Sequence, residues 1–197
     1  MTRLAPLPYT SWGDDERAAL ASAFGDVAAD QFASGERETP NVLGTLLHHP
    51  SLAGRFLAYN NTLLRKPALD ARLRELIVLR VAWRTRAPYE WAQHARLATG
   101  LGITADEIDA VGRGADADCW SSLEADVLAA TDQCIDRYRI DNDTWSRLAK
   151  ELDDRQLVEL VFVAGTYTAL AMAFNSFGLE LEPELHEFAA SFPAIEE

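Results

Sequence analysis

Two glutamates and one histidine in a single stretch of the chain are the residues best suited to chemistry. The stretch runs from Leu69 to His94 and contains Glu75, Glu90 and His94. Helix positions four residues apart lie on one face with Cβ atoms about 5–6 Å apart, so Glu90 and His94 can share one site. Glu75 lies one helix earlier and has to be brought in by packing. Carboxylates beside an imidazole are suited to acid–base proton transfer.

The same three side chains have two other interpretations. They can form a buried hydrogen-bonded network that fixes helix packing and has no catalytic role. Two carboxylates and one imidazole are also a known metal-ligand set, although no other residue pattern here supports a metal. Spacing alone therefore leaves catalytic, structural and metal-binding roles open.

Arginine and aromatic residues accompany the two glutamates. Arg80 follows Glu75 on the same helix and is the predicted cation for a substrate carboxylate, with a structural ion pair to Glu75 or Glu90 as the alternative. The predicted aromatic walls are Trp83, Tyr89 and Trp91. The second-rank candidates, from flanking helices, are Tyr59, Asn60, Tyr167 and Asn175.

Composition limits the classes of partner. The 197-residue chain has 18 basic and 31 acidic residues, which give a formal charge of −13 spread along its length. Such a surface repels phosphate groups, so we expect neither nucleic acid nor anionic membrane as a partner. A small anionic substrate has to be met by local arginines, because the overall field opposes its approach.

The two cysteines, Cys119 and Cys134, lie in no CxxC motif and in no metal-binding spacing. We interpret them as ordinary helix residues that a reducing cytosol keeps as thiols. The N-terminus has no apolar segment of signal-peptide length. The resulting expectation is a cytoplasmic protein.

Apolar residues at helical spacing predict an all-α protein. Pro50 divides the periodic segment from Asn41 to Leu64 into two helices, because a proline clashes with the preceding helical turn. Capping-box pairs place two further helix starts near residues 105 and 122. No segment alternates like a strand. The other predicted helices cover residues 14–24, 69–83, 88–100, 143–152 and about 153–177.

The predicted organisation is an N-terminal arm with one short helix over residues 1–40, followed by a single helical domain over residues 41–197. Tyr9 and Trp12 are the predicted packing anchors of the arm. The segment from Leu160 to Leu179 contains no charged residue. Its polar residues and acidic flanks favour a buried central helix over a membrane span. We expect this helix to be the most buried one.

The residues around the glutamates resemble a known family. The run with RELIVLRVAW and YEWAQH, between Arg74 and His94, looks like the carboxymuconolactone decarboxylase family of the AhpD-like superfamily. The resemblance extends over residues 41–110. It implies an AhpD-like bundle of about eight helices and self-association as a trimer or hexamer.

The alkylhydroperoxidase branch of that superfamily carries two cysteines as its redox centre, between a glutamate and a histidine. On that pattern Glu75 and His94 take the places of the glutamate and the histidine. Ala87 and Glu90 take the places of the two cysteines. A thiolate is the nucleophile that attacks peroxide, so dithiol peroxidase activity is not expected.

The decarboxylase branch is similar to this chain in carrying YEW followed by histidine. That likeness implies loss of CO2 from a β,γ-unsaturated lactone acid with migration of the double bond, without a metal or organic cofactor. His94 is then the proton donor. Glu90 orients the imidazole or exchanges protons with it, and Glu75 stays protonated if its pocket is apolar.

The sequence therefore predicts a cofactor-independent, decarboxylase-like lyase that acts by proton transfer on a small carboxylic acid or lactone. A peroxidase-like oxidoreductase is the first alternative, disfavoured by the missing cysteine pair. A non-catalytic oligomeric binding protein is the second.

Overall fold

The computed structural model describes residues 2–192, and all regular structure in that part of the chain is helical. The all-α prediction is confirmed. Those residues form eleven α-helices and two short 3-10 helices, more than the eight or so expected. The chain divides into two compact units.

The first unit comprises residues 2–66 and 176–182, so the expected boundary at residue 40 falls inside it. A 3-10 turn at Tyr9–Ser11 precedes its helices, which are α1 (Asp14–Phe24), α2 (Asp26–Ser34), α3 (Asn41–Leu46) and α4 (Pro50–Arg65). The core of this unit is formed by apolar residues of the arm and of these helices, among them Trp12, Leu20, Phe32, Leu47 and Leu57.

Local signals explain the helix boundaries in the first unit. The expected break at Pro50 is confirmed, because α3 ends at Leu46 and α4 begins at the proline. Gly25 separates α1 from α2 with φ at 88°, a backbone conformation that glycine adopts without strain. Trp12 is buried and its Nε1 donates to the Leu7 carbonyl at 3.3 Å, as expected of an anchor. Tyr9 is partly exposed.

The second unit comprises residues 67–175 and 183–192 of the described chain. A 3-10 turn at Gly114–Asp116 lies between its third and fourth helices. These helices are α5 (Ala71–Arg84), α6 (Pro88–Gly100), α7 (Ala105–Val111), α8 (Ser122–Arg137), α9 (Asn142–Leu148), α10 (Asp154–Phe177) and α11 (Pro183–Ala189).

The helix α5 is the centre of the second unit. All ten residues from Leu73 to Ala82 are buried, because α6, α7 and α8 pack around this helix. The expectation that the segment from Leu160 to Leu179 would be the most buried helix is wrong. The helix α10 buries only part of its surface and leaves Val161 and Met172 exposed.

The helix α10 is long and apolar enough to cross a membrane when judged by length and composition alone. Half of its apolar window is nevertheless buried within the protein. Its N-terminal part is tied to the unit by Glu159, whose carboxylate accepts the backbone N–H groups of Ala68 and Leu69 at 2.7 and 3.1 Å. These contacts are those of a core helix, in agreement with the expectation from its polar residues.

Capping and a tight turn set the positions of α5 and α6. The side chain of Asp70 caps α5 by accepting the Arg72 N–H at 2.8 Å. Arg86, in the turn between the two helices, has φ at 52°, and the Ala87 N–H donates to the Ala82 carbonyl at 2.9 Å. Pro88 then begins α6, as predicted. This turn brings Glu75 on α5 opposite His94 on α6.

Candidate functional site

The candidate site is a buried ion pair between α5 and α6. His94 Nδ1 lies 2.6 Å from Glu75 Oε2. The other carboxylate oxygen, Oε1, accepts hydrogen bonds from Nε and Nη2 of Arg74, both at 3.1 Å. Glu75 has no exposed surface, and His94 is 8% exposed. A fully buried carboxylate is thus held between one guanidinium and one imidazole.

The partners of Glu75 decide its charge. Burial by itself raises the pKa of this carboxyl group, but the hydrogen bond and charge of His94 and the guanidinium of Arg74 outweigh it, so the pKa of Glu75 lies below its ordinary value. Glu75 is therefore a carboxylate at neutral pH. The condition under which Glu75 was expected to stay protonated, an apolar pocket, is not met, because His94 and Arg74 both contact the carboxylate.

The imidazole of His94 is fixed in orientation. The carboxylate of Glu75 can only accept, so Nδ1 carries the proton in this hydrogen bond. The ring of Tyr167 on α10 meets the imidazole edge to face, with ring centroids 4.9 Å apart. Nε2 is then the nitrogen left to take up or release a proton. A histidine that is oriented by a carboxylate through one nitrogen and reacts through the other is a recurrent acid–base arrangement.

Glu90 is also buried, but its surroundings differ. It lies one turn before His94 on α6 and is 1% exposed, and neither of its carboxyl oxygens has a hydrogen-bond partner within residues 2–192. Burial raises the pKa of Glu90 well above its ordinary value. Burial thus favours the protonated, neutral form of Glu90 over its carboxylate. Glu90 does not orient the imidazole, since Glu75 holds that position.

The three residues do not form a metal-binding cluster. Within the described residues, no group of three or more histidine, cysteine, aspartate and glutamate side chains has an arrangement that could hold a metal ion. Glu90 remains apart from the hydrogen bond between Glu75 and His94. The metal-site interpretation thus lacks a converging set of ligands in this part of the chain.

Arg80 forms hydrogen bonds outside the site, contrary to its expected role in binding a substrate carboxylate. It lies five residues after Glu75, which is about 140° around the helix. Its guanidinium donates to both carboxylate oxygens of Asp132, at 2.7 and 2.8 Å, and to the carbonyls of Val111 and Gly112, at 2.7 and 3.0 Å. These bonds tie α5 to α7 and α8, so Arg80 has a structural role. The cation at the site is Arg74.

Sequence reasoning missed Arg74 for a physical reason. Neighbouring residues on a helix point about 100° apart, so adjacency to Glu75 gives no expectation of contact. The long side chain bends back to reach Oε1. Arg84, one turn after Arg80, also pairs with Asp132 and with Asp136, at 2.6 and 2.8 Å.

The expected aromatic walls are mainly core packing. Trp83 and Trp91 contact each other with ring centroids 5.5 Å apart, and Trp91 belongs to the core around α5. Tyr89 packs edge to face on Phe174 at 5.4 Å. The aromatic ring that packs against His94 is that of Tyr167.

Among the second-rank candidates, Tyr167 contacts His94, whereas Asn175 and Tyr59 have other surroundings. The amide of Asn175 donates to the Thr85 carbonyl at 3.0 Å, which joins the end of α10 to the turn after α5. Tyr59 is a partly exposed residue of α4, in the first unit.

Thiols are absent from the site. Ala87, at the first cysteine position of the peroxidase pattern, is fully buried and precedes α6. Cys119 is exposed and Cys134 partly buried, and both are free. Burial raises the pKa of Cys134, which lowers its thiolate fraction. Cys134 lies on α8, whereas Cys119 lies in the turn before it and not in a helix as expected.

Comparison with known proteins identifies the segment that carries this site. Residues 50–133 match the model of the carboxymuconolactone decarboxylase family. This segment is similar to the carboxymuconolactone decarboxylase family and spans less than half of the chain. All of α5 and α6 lie within it, so Glu75, Glu90 and His94 are part of the matched segment. Among curated proteins, no sequence matches the chain.

Solved structures share the AhpD-like fold over nearly the whole chain. An uncharacterised peroxidase-related protein from Ralstonia eutropha JMP134, described as an alkylhydroperoxidase AhpD core, is 19% identical with a TM-score of 0.75, covering 93% of this chain and 94% of that one. A peroxidase-related protein from Silicibacter sp. TM1040 is 17% identical with a TM-score of 0.75, and 94% of each chain is covered.

A third similar structure is that of the debrominase Bmp8. It is 15% identical with a TM-score of 0.75, covering 100% of this chain and 99% of that one. A variant of the debrominase was solved in complex with 2,3,4-tribromopyrrole. At such low identity these structures establish the common fold, and the chemistry has to be inferred from the residues of this chain.

Proposed function

We propose that this chain is a cofactor-independent enzyme of the carboxymuconolactone decarboxylase type, a lyase that transfers protons on a small carboxylic acid or lactone. The observation that carries the proposal is the 2.6 Å contact between Glu75 Oε2 and His94 Nδ1 in buried surroundings. That contact leaves Nε2 as the reacting nitrogen. A carboxylate that orients an imidazole also stabilises the imidazolium formed during proton transfer.

The reaction we propose requires one proton donor. The substrate carboxylate leaves as CO2, and the electron pair of the broken carbon–carbon bond moves through the conjugated double bond to the lactone carbonyl. Nε2–H of protonated His94 then gives its proton to the carbon of the resulting dienolate, which completes migration of the double bond. His94 recovers the proton from water. The negative charge of Glu75 stabilises the protonated imidazole before the transfer.

The neutral state of Glu90 gives this residue a different role from Glu75. A protonated carboxyl group can donate a hydrogen bond to an oxygen on which negative charge collects. We assign Glu90 to the lactone carbonyl oxygen of the dienolate. The observation that supports this assignment is that both of its oxygens are buried and without a partner among the described residues.

Arg74 replaces Arg80 as the cation that attracts the substrate carboxylate. Only Nε and Nη2 of Arg74 bond Glu75, which leaves Nη1 for a second acceptor. All three nitrogens of the Arg80 guanidinium already bond Asp132 or backbone carbonyls.

A cytoplasmic location and the lack of a nucleic-acid partner stay predictions from the sequence.

The test is a screen of unsaturated lactone acids, followed by CO2 release and by the ultraviolet spectrum of the product. We expect His94→Gln to lower kcat about 10²- to 10⁴-fold with the fold intact, because the proton donor is lost. The control is Cys119→Ser combined with Cys134→Ser, which should retain full activity. Full activity in His94→Gln would contradict the proposal.

The two alternatives give different results in the same experiment. A thiol peroxidase would reduce hydroperoxides, and the double cysteine variant would lose that activity. A non-catalytic binding protein would turn over no lactone acid, and His94→Gln would change only stability or ligand affinity.

A further inference from the structure

The candidate site is closed to solvent. The exposed fractions are 0% for Glu75, 1% for Glu90 and 8% for His94. A substrate that reacts with buried side chains has to reach them, and the surrounding atoms leave it no open path. One of the elements packed around the site therefore has to move aside when a substrate enters.

One side of the site is covered by α10. The Tyr167 ring packs edge to face on the His94 imidazole, with ring centroids 4.9 Å apart, and the Phe174 ring packs on Tyr89 at 5.4 Å. Glu90 lies between Tyr89 and His94 in α6. Two aromatic side chains of α10 thus lie against the stretch of α6 that carries both buried acid–base residues.

The covering part of α10 lies at the surface of the second unit. It consists of residues 166–175, which we call the C-terminal half of α10. Its residues Ala169 and Met172 are exposed, whereas Tyr167 and Phe174 are buried. A helix with one exposed face can move outward without opening the core. The central helix α5 is buried along ten consecutive residues and has no such freedom.

The N-terminal part of α10 is fixed in place. The carboxylate of Glu159 accepts the N–H groups of Ala68 and Leu69 at 2.7 and 3.1 Å. Gln156 Nε2 donates to the Ala68 carbonyl at 3.2 Å. Leu160, in the next turn, is fully buried. A movement of α10 away from the site therefore has to start after these residues.

Gly165 is a weak point in the middle of α10. Glycine is among the least favourable residues in a helix interior, because it loses the most conformational freedom there. Packing does not require it, since a Cβ atom at Gly165 would meet no other atom within 4 Å. Thr168 donates its hydroxyl to the Ala164 carbonyl at 2.8 Å, a contact that often bends helices. Both features weaken the helix at the start of its C-terminal half.

The far end of the C-terminal half is held by an exposed side chain. The amide of Asn175 donates to the carbonyl of Thr85 at 3.0 Å. Thr85 ends α5 and lies directly before the turn to α6. A hydrogen bond at an exposed site contributes little net stability, because water replaces it when it breaks. This bond can therefore open and form again while the fold stays intact.

We propose that the C-terminal half of α10 is the gate of the site, an inference that rests on the proposed function. The helix bends at Gly165, the bond between Asn175 and Thr85 opens, and the gate moves off α6 to admit the substrate. Closure returns the Tyr167 ring to the His94 imidazole and excludes water. The exclusion of water strengthens the electrostatic interactions within the site.

The first experiment is amide hydrogen exchange of the wild type, resolved by residue with NMR. A bend at Gly165 breaks the backbone hydrogen bonds of the N–H groups of residues 166–168 and leaves those of residues 170–174 in place. We expect faster exchange at residues 166–168 than at residues 170–174. Fraying of α10 from its C-terminal end would give the opposite order and would overturn the proposal.

Gly165→Ala tests whether the same bend exposes His94. Alanine favours the helical, closed state, so exchange at residues 166–168 and modification of His94 by diethylpyrocarbonate should both slow about fourfold to fivefold. The exposed His186 serves as the internal standard for the reagent. Gly100→Ala is the matched control, because a Cβ atom there also meets nothing within 4 Å. It should leave both rates unchanged.

Asn175→Ala tests the bond at the far end of the gate. Its loss favours the open state, so modification of His94 should become about fivefold faster. Asn61→Ala is the matched control in the first unit, since the amide of Asn61 donates to the Ala23 carbonyl, also at 3.0 Å. It should leave the rate of His94 modification unchanged.

The modification of His94 needs no substrate, so the gate and the proposed function can fail separately. Equal rates in the wild type, Gly165→Ala and Asn175→Ala would overturn the gate, even in a protein that decarboxylates lactone acids. A wild type in which His186 reacts and His94 does not would also overturn it. Rates that change as expected, in a protein that turns over no lactone acid, would support the gate and contradict the proposed function.

Discussion

The surroundings of two buried glutamates in the second unit differ in one respect. Glu75 is 0% exposed and Glu90 is 1% exposed, so both carboxyl groups are removed from water to the same degree. Glu75 accepts hydrogen bonds from Arg74 and lies against His94, whereas Glu90 has no partner within the described chain. Burial raises the pKa of both groups, and only the partners of Glu75 reverse the direction. Hydrogen-bond and charged partners, rather than the depth of burial, thus determine the direction in which each glutamate pKa is shifted.

This difference is what acid–base catalysis requires. Two titratable groups whose pKa values are pushed in opposite directions can hold different protonation states at one pH. The ionised Glu75 orients His94, and the neutral Glu90 keeps a proton available one helical turn away. A strongly shifted group can also be purely structural, so the leucine and glutamine variants below separate the two glutamates experimentally.

The largest expected effect is that of Glu75→Leu. The substitution leaves the Arg74 guanidinium buried without its acceptor and removes the partner of His94. We expect a loss of about 3–5 kcal/mol in the free energy of unfolding, measured by urea denaturation at pH 7. Glu90→Leu should instead raise it by about 1–3 kcal/mol, because it removes an unsatisfied buried polar group. Equal losses in both variants would remove the distinction between the two residues.

The second prediction concerns Arg80, on the opposite face of α5. Arg80→Leu breaks a bidentate pair with Asp132, although Arg84 still neutralises that carboxylate. We expect a loss of about 2–3 kcal/mol in stability. The His94 imidazole resonance, followed by NMR against pH, should titrate as in the wild type. A changed titration would show that Arg80 acts on the site after all.

The third prediction is a pH dependence with a defined sign. The folded chain keeps the Glu90 proton to higher pH than the unfolded chain, so this contribution to stability is full below about pH 4.3 and is lost as the pH rises. Glu90→Gln cannot ionise and avoids that loss. Its stability relative to the wild type should therefore increase between pH 4.5 and pH 8, by up to about 1.4 kcal/mol per pH unit within the titration range.

Glu75→Gln is the control for this pH series, and its sign is reversed. The pKa of Glu75 is lower in the folded chain, so its contribution is present above the unfolded pKa and is lost as the pH falls through the folded value. The deficit of Glu75→Gln relative to the wild type should shrink only below about pH 4. Parallel pH profiles for the two glutamine variants would contradict the assignment of charge.

The smallest effect is expected in the turn between the two helices. Arg86 has φ at 52°, and glycine relieves that conformation while it adds freedom to the unfolded chain. Arg86→Gly should raise the free energy of unfolding by about 0.5–1 kcal/mol, measured by urea denaturation. A decrease would indicate that the Arg86 side chain itself holds the turn that places α5 beside α6.

Most of the fold followed from local signals. Pro50 and Pro88 mark the starts of α4 and α6, and the capping boxes at Thr104 and Ser121 mark those of α7 and α8. These signals act within one helical turn, so the sequence displays them directly. The short helices α2 and α11 were not predicted, because neither has a comparable start signal.

The site was predictable in its residues but not in its charges. Spacing predicted that Glu90 and His94 share one site and that Glu75 has to be brought in by packing, whereas the hydrogen bond in the structure joins His94 to Glu75. The Arg80 guanidinium lies away from the site because it pairs with Asp132, which is 52 positions away in the chain. Spacing within α5 could not predict that pairing. The raised pKa of Glu90 depends on the lack of a hydrogen-bond partner among the described residues, which only the packed structure shows.

The most direct measurement is the infrared difference spectrum of the protonated-carboxyl stretching region at pH 7, wild type minus each glutamine variant. The account predicts that a buried protonated carboxyl band is present in the wild type, retained in Glu75→Gln and lost in Glu90→Gln. Loss of the band in Glu75→Gln, or a wild type without such a band, would contradict the division of charge between the two glutamates.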